Sequence, residues 1–278
     1  MTKLTLSPIK NSLDGIKLSE SINEDVLRSL INSTLPKPIK NKFTLEFHEN
    51  ERKQLEALLN LSHSSKAIIK YSRPNRKYGR VNAVKGISLG MLSRKMRHTL
   101  CNGIYTDIDI ANCHPVILHQ VCKANNIACP HLESYITDRA NKLKAVMSKY
   151  DVSRDEAKKL FIRMMYFGKF AAWVDDNKLT TSKPTTFINN FSDELSLIGD
   201  VILAANPKIR AQVIKSKGPT TSEHDIKSSV VSNYCQEIEL RMLEVIFDRC
   251  VELKYVSDDA VLCFDGLMIP TEITHRKY

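Results

Sequence analysis

Hydrophobic and polar positions along the chain follow two periods, and each period predicts a different kind of element. Apolar residues at helical spacing predict helices over about residues 19–31, 49–61, 115–125, 131–170, 187–205 and 228–253. Short apolar runs bounded by turn residues predict strands at about 67–71, 80–84, 105–109 and 259–269. The stretch 207–224 is basic and polar and is interpreted as a connection. Strands at both ends of a helical middle predict an α+β fold.

Two of the predicted strands end in carboxylates. Successive strand side chains point to opposite faces, so Asp107 and Asp109 are expected on the same face. A later apolar run delivers Asp265, followed by Gly266. Burying like charges together is expensive, and a divalent cation removes that cost. If the strands are neighbours, these oxygens suit a two-ion Mg²⁺ site, with Mn²⁺ as a possible substitute.

Length and composition restrict the class of protein. The 278 residues allow one large domain or two smaller ones, and 42% hydrophobic content is ordinary for a globular chain. No apolar run is long enough to span a membrane, and the N-terminus has no signal-peptide core. Seven scattered cysteines indicate reduced thiols. We expect a cytoplasmic or nuclear location in a host cell, without secretion or a membrane partner.

The net charge of +10 is concentrated in the first third of the chain. Residues 57–106 contain no Asp or Glu but ten Lys and Arg. A block of one sign favours a surface that binds a polyanion such as nucleic acid, although a solvated basic face is the alternative. The candidate nucleic-acid contacts in this block are Arg73, Arg76, Lys77, Arg80, Arg94 and Arg97.

The predicted helix that begins near Arg154 carries a second basic pattern. Arg154 and Lys158 share one side at helical spacing, and Tyr166 follows about two turns later. Two cations could hold a triphosphate while the ring packs near the sugar and base. An amphipathic surface helix with a solvated basic face is the alternative interpretation.

In their order along the chain, these motifs resemble the palm and fingers of superfamily A polymerases. These are the family A DNA polymerases and the single-subunit phage-type RNA polymerases, and the wording around Asp109 is closest to the transposon–virus branch, which is often fused to a helicase. Asp109 and Asp265 resemble the metal ligands of motifs A and C, and Phe167 departs from the Tyr-Gly of motif B. The remaining matches are Gly79-Arg80 with the primer–template element, Arg154, Lys158 and Tyr166 with motif B, and Gln236 with the helix before motif C.

The resemblance implies a right-hand, palm-like antiparallel sheet with a helical fingers insertion. Its expected boundaries are a helical accessory segment at 1–62 and a polymerase core at 63–278, with the palm at about 63–128 and 226–278 and the fingers at about 129–225. The expected function is template-directed nucleotidyl transfer by a DNA polymerase or primase of a virus, plasmid or mobile element. Asp109 and Asp265, with Asp107 as a rival ligand, would hold the ions, and Lys158 would assist catalysis.

The same resemblance implies the partners and a preference for one sugar. The partners would be DNA template and primer, nucleoside triphosphates, and a helicase in cis or in trans. His114 stands five residues after Asp109, where a bulky side chain would disfavour a 2′-hydroxyl.

Two other classes of function stay open from the sequence. A non-catalytic nucleic-acid-binding module would explain the basic block, and a metal-dependent nuclease would use the same carboxylates. Zinc binding by His119, Cys122, Cys129 and His131 is not favoured, because their spacing fits no common zinc framework.

Overall fold

The computed structural model describes residues 4–33, 42–180 and 183–271, with the backbone alone at 42–49. The chain divides into two compact units. The first, which we call the helical unit, comprises residues 1–9, 76–79 and 112–239. The second, the sheet unit, comprises residues 10–75, 80–111 and 240–278.

The sheet unit contains a small antiparallel sheet. Its strands are β1 (Lys17–Ser21), β2 (Ser62–His63), β3 (Lys66–Ser72) and β4 (Asn82–Ala83), with β3 paired to the other three. Side chains along β3 alternate strictly between exposed and buried positions. Ala67, Ile69 and Tyr71 therefore face the core, as the period of two requires.

A second antiparallel sheet of the same unit carries the two Asp segments. Its strands are β5 (Tyr105–Asp109), β6 (Val261–Leu262) and β7 (Gly266–Pro270), in the order β5-β7-β6. The register places Asp109 opposite Gly266 and Tyr105 opposite Pro270. Strands that are far apart in sequence are thus direct neighbours.

In the described part of the sheet unit, three α-helices precede β5: α1 (Glu24–Asn32), α2 (Lys42–Leu61) and α3 (Arg94–Cys101). Asn23 caps α1 by accepting from the Val26 N–H, and Ser93 caps α3 from the Met96 N–H. Leu27 and Leu100 are fully buried in one apolar cluster with residues of both sheets.

Among its described residues, the helical unit wholly contains seven α-helices: α4 (Cys113–Ala124), α5 (Pro130–Thr137), α6 (Arg139–Tyr150), α7 (Arg154–Met165), α8 (Phe170–Asp176), α9 (Thr186–Ala205) and α10 (Pro207–Lys217). The long helix α11 (Glu223–Glu252) contributes its residues up to Glu239. Packing between Tyr135 and Phe161, whose ring centroids are 4.5 Å apart, forms part of the core. None of the helices in the described ranges combines the length and apolar character needed to cross a membrane.

Several predicted elements differ from those observed. Residues 17–21 form a strand and not the start of a helix, because they pair along β3, and α1 begins only at Glu24. The segment predicted as a connection contains α10, which Pro207 opens and whose Ile209 and Val213 are buried. The predicted N-terminal segment 1–62 is divided between the two units. The further likeness of the β5-β7-β6 sheet to a polymerase palm stays a prediction.

Candidate nucleic-acid interface

Three predicted carboxylate residues lie on or beside the paired strands β5 and β7. Asp107 and Asp109 are both exposed on the same face of β5. The Ile110 N–H donates to the carbonyl oxygen of Asp265 at 2.9 Å, which fixes Asp265 beside the end of β5. The structure therefore places the backbones of Asp109 and Asp265 side by side, with Asp107 two residues earlier on β5.

Gly266 permits this close pairing of strands. A Cβ atom at Gly266 would lie 2.3 Å from the Ile108 carbonyl oxygen and 3.3 Å from Asp109 Oδ1. The first distance is a severe clash with backbone, so only glycine fits in this register.

Burial of like charges, the expected reason for a metal ion here, is not observed at Asp107 and Asp109. Asp107 and Asp109 are exposed, so water already solvates and screens their charges, and no cation is needed to balance buried like charges. Carboxylate oxygens nevertheless suit Mg²⁺, and the two-ion site, with Mn²⁺ as a substitute, stays a prediction.

A strained turn adjoins these carboxylates. Cys263 and Gly266 exchange backbone hydrogen bonds of 2.8 and 3.2 Å around the turn residues Phe264 and Asp265. Phe264 has a φ of 59°, a conformation that costs a bulky residue about 1–3 kcal/mol. Its side chain is 37% exposed, and the Arg80 guanidinium carbon lies 4.8 Å from the ring centroid. The sequence analysis missed Phe264, although an aromatic residue in a two-residue hairpin turn was a usable signal.

The basic residues of the sheet unit divide into surface and internal groups. Arg94 and its neighbour Lys95 are exposed at the start of α3, and Arg97 is half-buried one turn later. Arg73 is instead buried, with its Nε atom 3.2 Å from Asp14 Oδ2. The charge of Arg73 is therefore paired inside the fold, and its contact with nucleic acid stays a prediction.

Three other predicted contacts lie in the helical unit. Arg76 and Lys77 are exposed, and the Lys77 N–H donates to Gln212 Oε1 at 2.7 Å. Gln236 is half-buried and donates from Nε2 to Ser232 Oγ at 3.0 Å.

The predicted triphosphate-binding residues also lie in the helical unit. Arg154 and Lys158 are exposed on α7, which Ser153 caps by accepting from the Glu156 N–H. The helix ends at Met165, so Tyr166 is its half-buried C-cap residue and Phe167 follows with a φ of 63°. The predicted Arg-Lys-Tyr series thus extends past the last helical turn.

His114 makes two polar contacts within the helical unit. Its Nδ1 atom is hydrogen-bonded to the Tyr166 hydroxyl. Its Nε2 atom lies 2.7 Å from Oε2 of Glu239, which is fully buried. The side chain is therefore held between two partners, and its predicted role as a gate against ribose stays a prediction.

The sheet unit also contains a buried carboxyl group, Glu20 of β1, which the sequence did not indicate. Glu20 accepts hydrogen bonds from Tyr71 Oη at 2.5 Å, Ser88 Oγ at 2.7 Å and Leu89 N–H at 2.7 Å. Removal from water outweighs these bonds and raises the pKa of Glu20 to about 7. The group titrates near neutrality but contributes no charge to the surface.

Comparison with known proteins finds a relative with a different activity in its name. Over 192 residues, or 69% of this chain, the sequence is 34% identical to a protein named "Putative helicase V13" from Sputnik virophage. The matched residues make up 24% of that protein, so the chain spans about a quarter of the length of the relative. No protein-family model matches the chain.

This finding contradicts the predicted membership of the superfamily A polymerases. The relative is named for helicase activity, so the predicted DNA polymerase or primase function is wrong, and so is its nucleotidyltransferase class. The motifs that supported it are one to three residues long, and an Asp-ended strand pair or a basic helix occurs in proteins of many functions. Primer–template DNA and nucleoside triphosphates were expected as partners only from the polymerase resemblance, so nothing now supports them.

Proposed function

We propose that this chain is a nucleic-acid-binding part of a helicase-type replication protein. The observation that carries the proposal is the acid-free stretch 57–106, whose Lys and Arg side chains are mostly exposed. The helicase name of the virophage relative supports nucleic acid as the polyanion. The sequence contains no Gly-x₄-Gly-Lys-Ser/Thr loop for nucleotide phosphates, so we assign binding and not ATP hydrolysis.

The outer face of β3 forms the first part of the proposed surface. Lys66, Ile68 and Lys70 point outward, and Ile68 is 61% exposed. Lys17 lies directly opposite Lys70 in the register. Opposed like charges weaken a strand pair, and a phosphate backbone would neutralise both.

The start of α3 forms the second part. Arg94 and Lys95 occupy its first turn, which contains no acidic residue. The N-terminus of a helix is the positive end of its dipole, where each cation typically costs about 0.3–1 kcal/mol. The Glu51 carboxylate, which accepts from the Ser93 N–H at 3.1 Å, offsets part of this cost. A bound phosphate would turn this repulsion into attraction, because backbone N–H groups and both side chains favour an anion.

Phe264 and Arg80 form the third part and favour single strands. An exposed ring with a guanidinium over it is a platform on which an unpaired base can stack. Bases inside a duplex are already stacked on each other. We therefore expect tighter binding to single-stranded than to double-stranded DNA.

The experiment is fluorescence anisotropy with labelled oligonucleotides at several salt concentrations. Replacing both Arg94 and Lys95 with Gln should weaken binding and reduce the slope of log affinity against log salt by up to about 2. The thermal midpoint should stay the same or rise, since unfavourable charges leave the helix start. A variant that had lost its fold would instead show a lower binding affinity together with a lower thermal midpoint.

The matched control removes two charges elsewhere. Lys144 and Lys149 are exposed on α6 of the helical unit, and their change to Gln lowers the net charge by the same amount. The control variant should keep the parent salt slope. Equal losses in the two variants would show that only total charge matters and would refute a defined surface on the sheet unit.

A further inference from the structure

A cluster of three ligand-type side chains lies in the helical unit. Cys113 and His114 open α4, and Glu239 comes from α11. Cys113 Sγ, one His114 ring nitrogen and a Glu239 carboxylate oxygen all lie within 4.8 Å of one another. The sulfur is 3.9 Å and His114 Nε2 is 2.7 Å from Glu239 Oε2.

Burial distinguishes this cluster from an ordinary group of surface polar residues. The Cys113 residue is 5% exposed, and the side chains of His114 and Glu239 are 15% and 1% exposed. A buried thiol, imidazole and carboxylate that converge on one point form a mixed sulfur, nitrogen and oxygen donor set. This set suits Zn²⁺, whereas Mg²⁺ and Ca²⁺ require oxygen ligands.

The distances are close to those of a bound zinc ion. Zinc bonds of about 2.0–2.3 Å in tetrahedral geometry place neighbouring ligand atoms about 3.3–3.8 Å apart. The Cys113–Glu239 separation of 3.9 Å nearly meets this range. The His114–Glu239 separation of 2.7 Å is a hydrogen bond and would open as the ion replaces the shared proton.

Tyr166 supplies the support that a zinc-bound histidine needs. A ligating imidazole usually donates its other ring N–H to a fixed acceptor, which sets its tautomer and its orientation. Nδ1 of His114 is hydrogen-bonded to the Tyr166 hydroxyl, so Nε2 is left to face Glu239.

We propose that Cys113 Sγ, His114 Nε2 and a Glu239 carboxylate oxygen bind one Zn²⁺ ion. Binding releases the thiol proton and the proton shared by His114 and Glu239 to solvent, and a water molecule fills the fourth position. The ion would tie the start of α4 to α11 within the helical unit. This site is independent of the proposed nucleic-acid surface, so either proposal can fail without the other.

The test uses the full chain, stripped with a chelator under reducing conditions and titrated with Co²⁺ and Zn²⁺. We expect one equivalent of Co²⁺, a thiolate-to-Co²⁺ charge-transfer band, loss of the band when Zn²⁺ displaces Co²⁺, and a thermal midpoint raised by Zn²⁺. Cys113→Ser should abolish the band, whereas Cys129→Ser, which changes another buried thiol of the same unit, should retain it.

Two further variants keep the proposal falsifiable if Cys113→Ser does not fold. Glu239→Gln should reduce zinc affinity, and Tyr166→Phe should reduce it about tenfold or more, through loss of the acceptor for His114. A folded parent protein that binds no stoichiometric Zn²⁺, or a Co²⁺ band that persists in Cys113→Ser, would overturn the site. In that case Tyr166, His114 and Glu239 are a metal-free hydrogen-bonded group.

Discussion

Replacing Glu20 with Gln should change how the stability of the sheet unit depends on pH. Burial raises the pKa of Glu20 from its ordinary 4.5 to about 7. Between these values the folded chain holds a proton that the unfolded chain has released, so the free energy of unfolding falls as pH rises. The stabilisation is complete below pH 4.5 and is lost as pH rises to about 7. A pKa difference of this size corresponds to a loss on the order of 3 kcal/mol in the free energy of unfolding.

Gln carries no titrating proton but can satisfy the same partners. Its amide oxygen can accept from the Leu89 N–H, while its NH₂ group donates to the hydroxyls of Tyr71 and Ser88. The assay is urea unfolding of the parent and the variant at intervals between pH 5 and 8, since other titrating groups cancel in the difference. As pH rises across this range, the free energy of unfolding of the variant should increase relative to that of the parent by up to about 3 kcal/mol.

Glu24→Gln is the control, because its shift has the opposite sign. A hydrogen bond from Arg28 lowers the pKa of this exposed carboxyl group, so its contribution to stability is lost only as pH falls below the ordinary range. Its stability difference from the parent should be flat from pH 5 to 8. A flat difference for Glu20→Gln as well would refute the buried, proton-holding carboxyl group.

Three other predictions test the neighbouring features. Phe264→Leu should weaken single-stranded DNA binding by about tenfold, as expected from roughly 1–3 kcal/mol per stacked base, whereas Phe264→Tyr should retain it in the same anisotropy assay. Gly266→Ala should cost about 3 kcal/mol in urea unfolding, because its Cβ would meet the Ile108 carbonyl. The control Gly86→Ala should cost about 1–2 kcal/mol, because it has only a left-handed φ to accommodate. Asp14→Ala should cost about 2 kcal/mol by removing a carboxylate partner of buried Arg73, without changing the salt slope of DNA binding.

Local signals in the sequence predicted those parts of the fold that depend on local interactions. The predicted helix that begins near Arg154 is confirmed, since α7 starts at Arg154 and Ser153 Oγ accepts from the Glu156 N–H. The strand predicted at 67–71 corresponds to β3. Both patterns are set by residues within a few positions of each other, so they survive whatever the rest of the chain does.

Elements that depend on distant partners were harder to predict. The helix predicted over 19–31 overlaps β1 (Lys17–Ser21), which forms because β3, about 50 residues later, offers a pairing edge. The start of α5 depends on Glu194 of α9, whose carboxylate accepts from the N–H groups of His131 and Leu132. Such pairings cannot be predicted from one segment alone.

The candidate site shows the same division between local pattern and tertiary context. The exposure of Arg94 and Lys95 followed from a charge pattern, but the burial of Arg73 against Asp14 required the fold. The strain at Phe264 also appears only once the turn is formed. Sequence order suggested one catalytic assembly, and this stays a prediction. The carboxylate strands belong to the sheet unit, and Arg154, Lys158 and Tyr166 belong to the helical unit.

Two groups of like charges and one strained aromatic turn each lower the stability of the sheet unit. A single kind of ligand would neutralise the charges and bind to the aromatic ring. Lys17 opposes Lys70, Arg94 and Lys95 stand at the positive end of a helix, and Phe264 holds a conformation suited to glycine. Natural folds retain local strain mainly where it serves a function. A single strand of nucleic acid would neutralise both charge groups through phosphates and stack a base on the exposed ring. A solvated basic face explains the charges alone and leaves the strained aromatic turn without a reason.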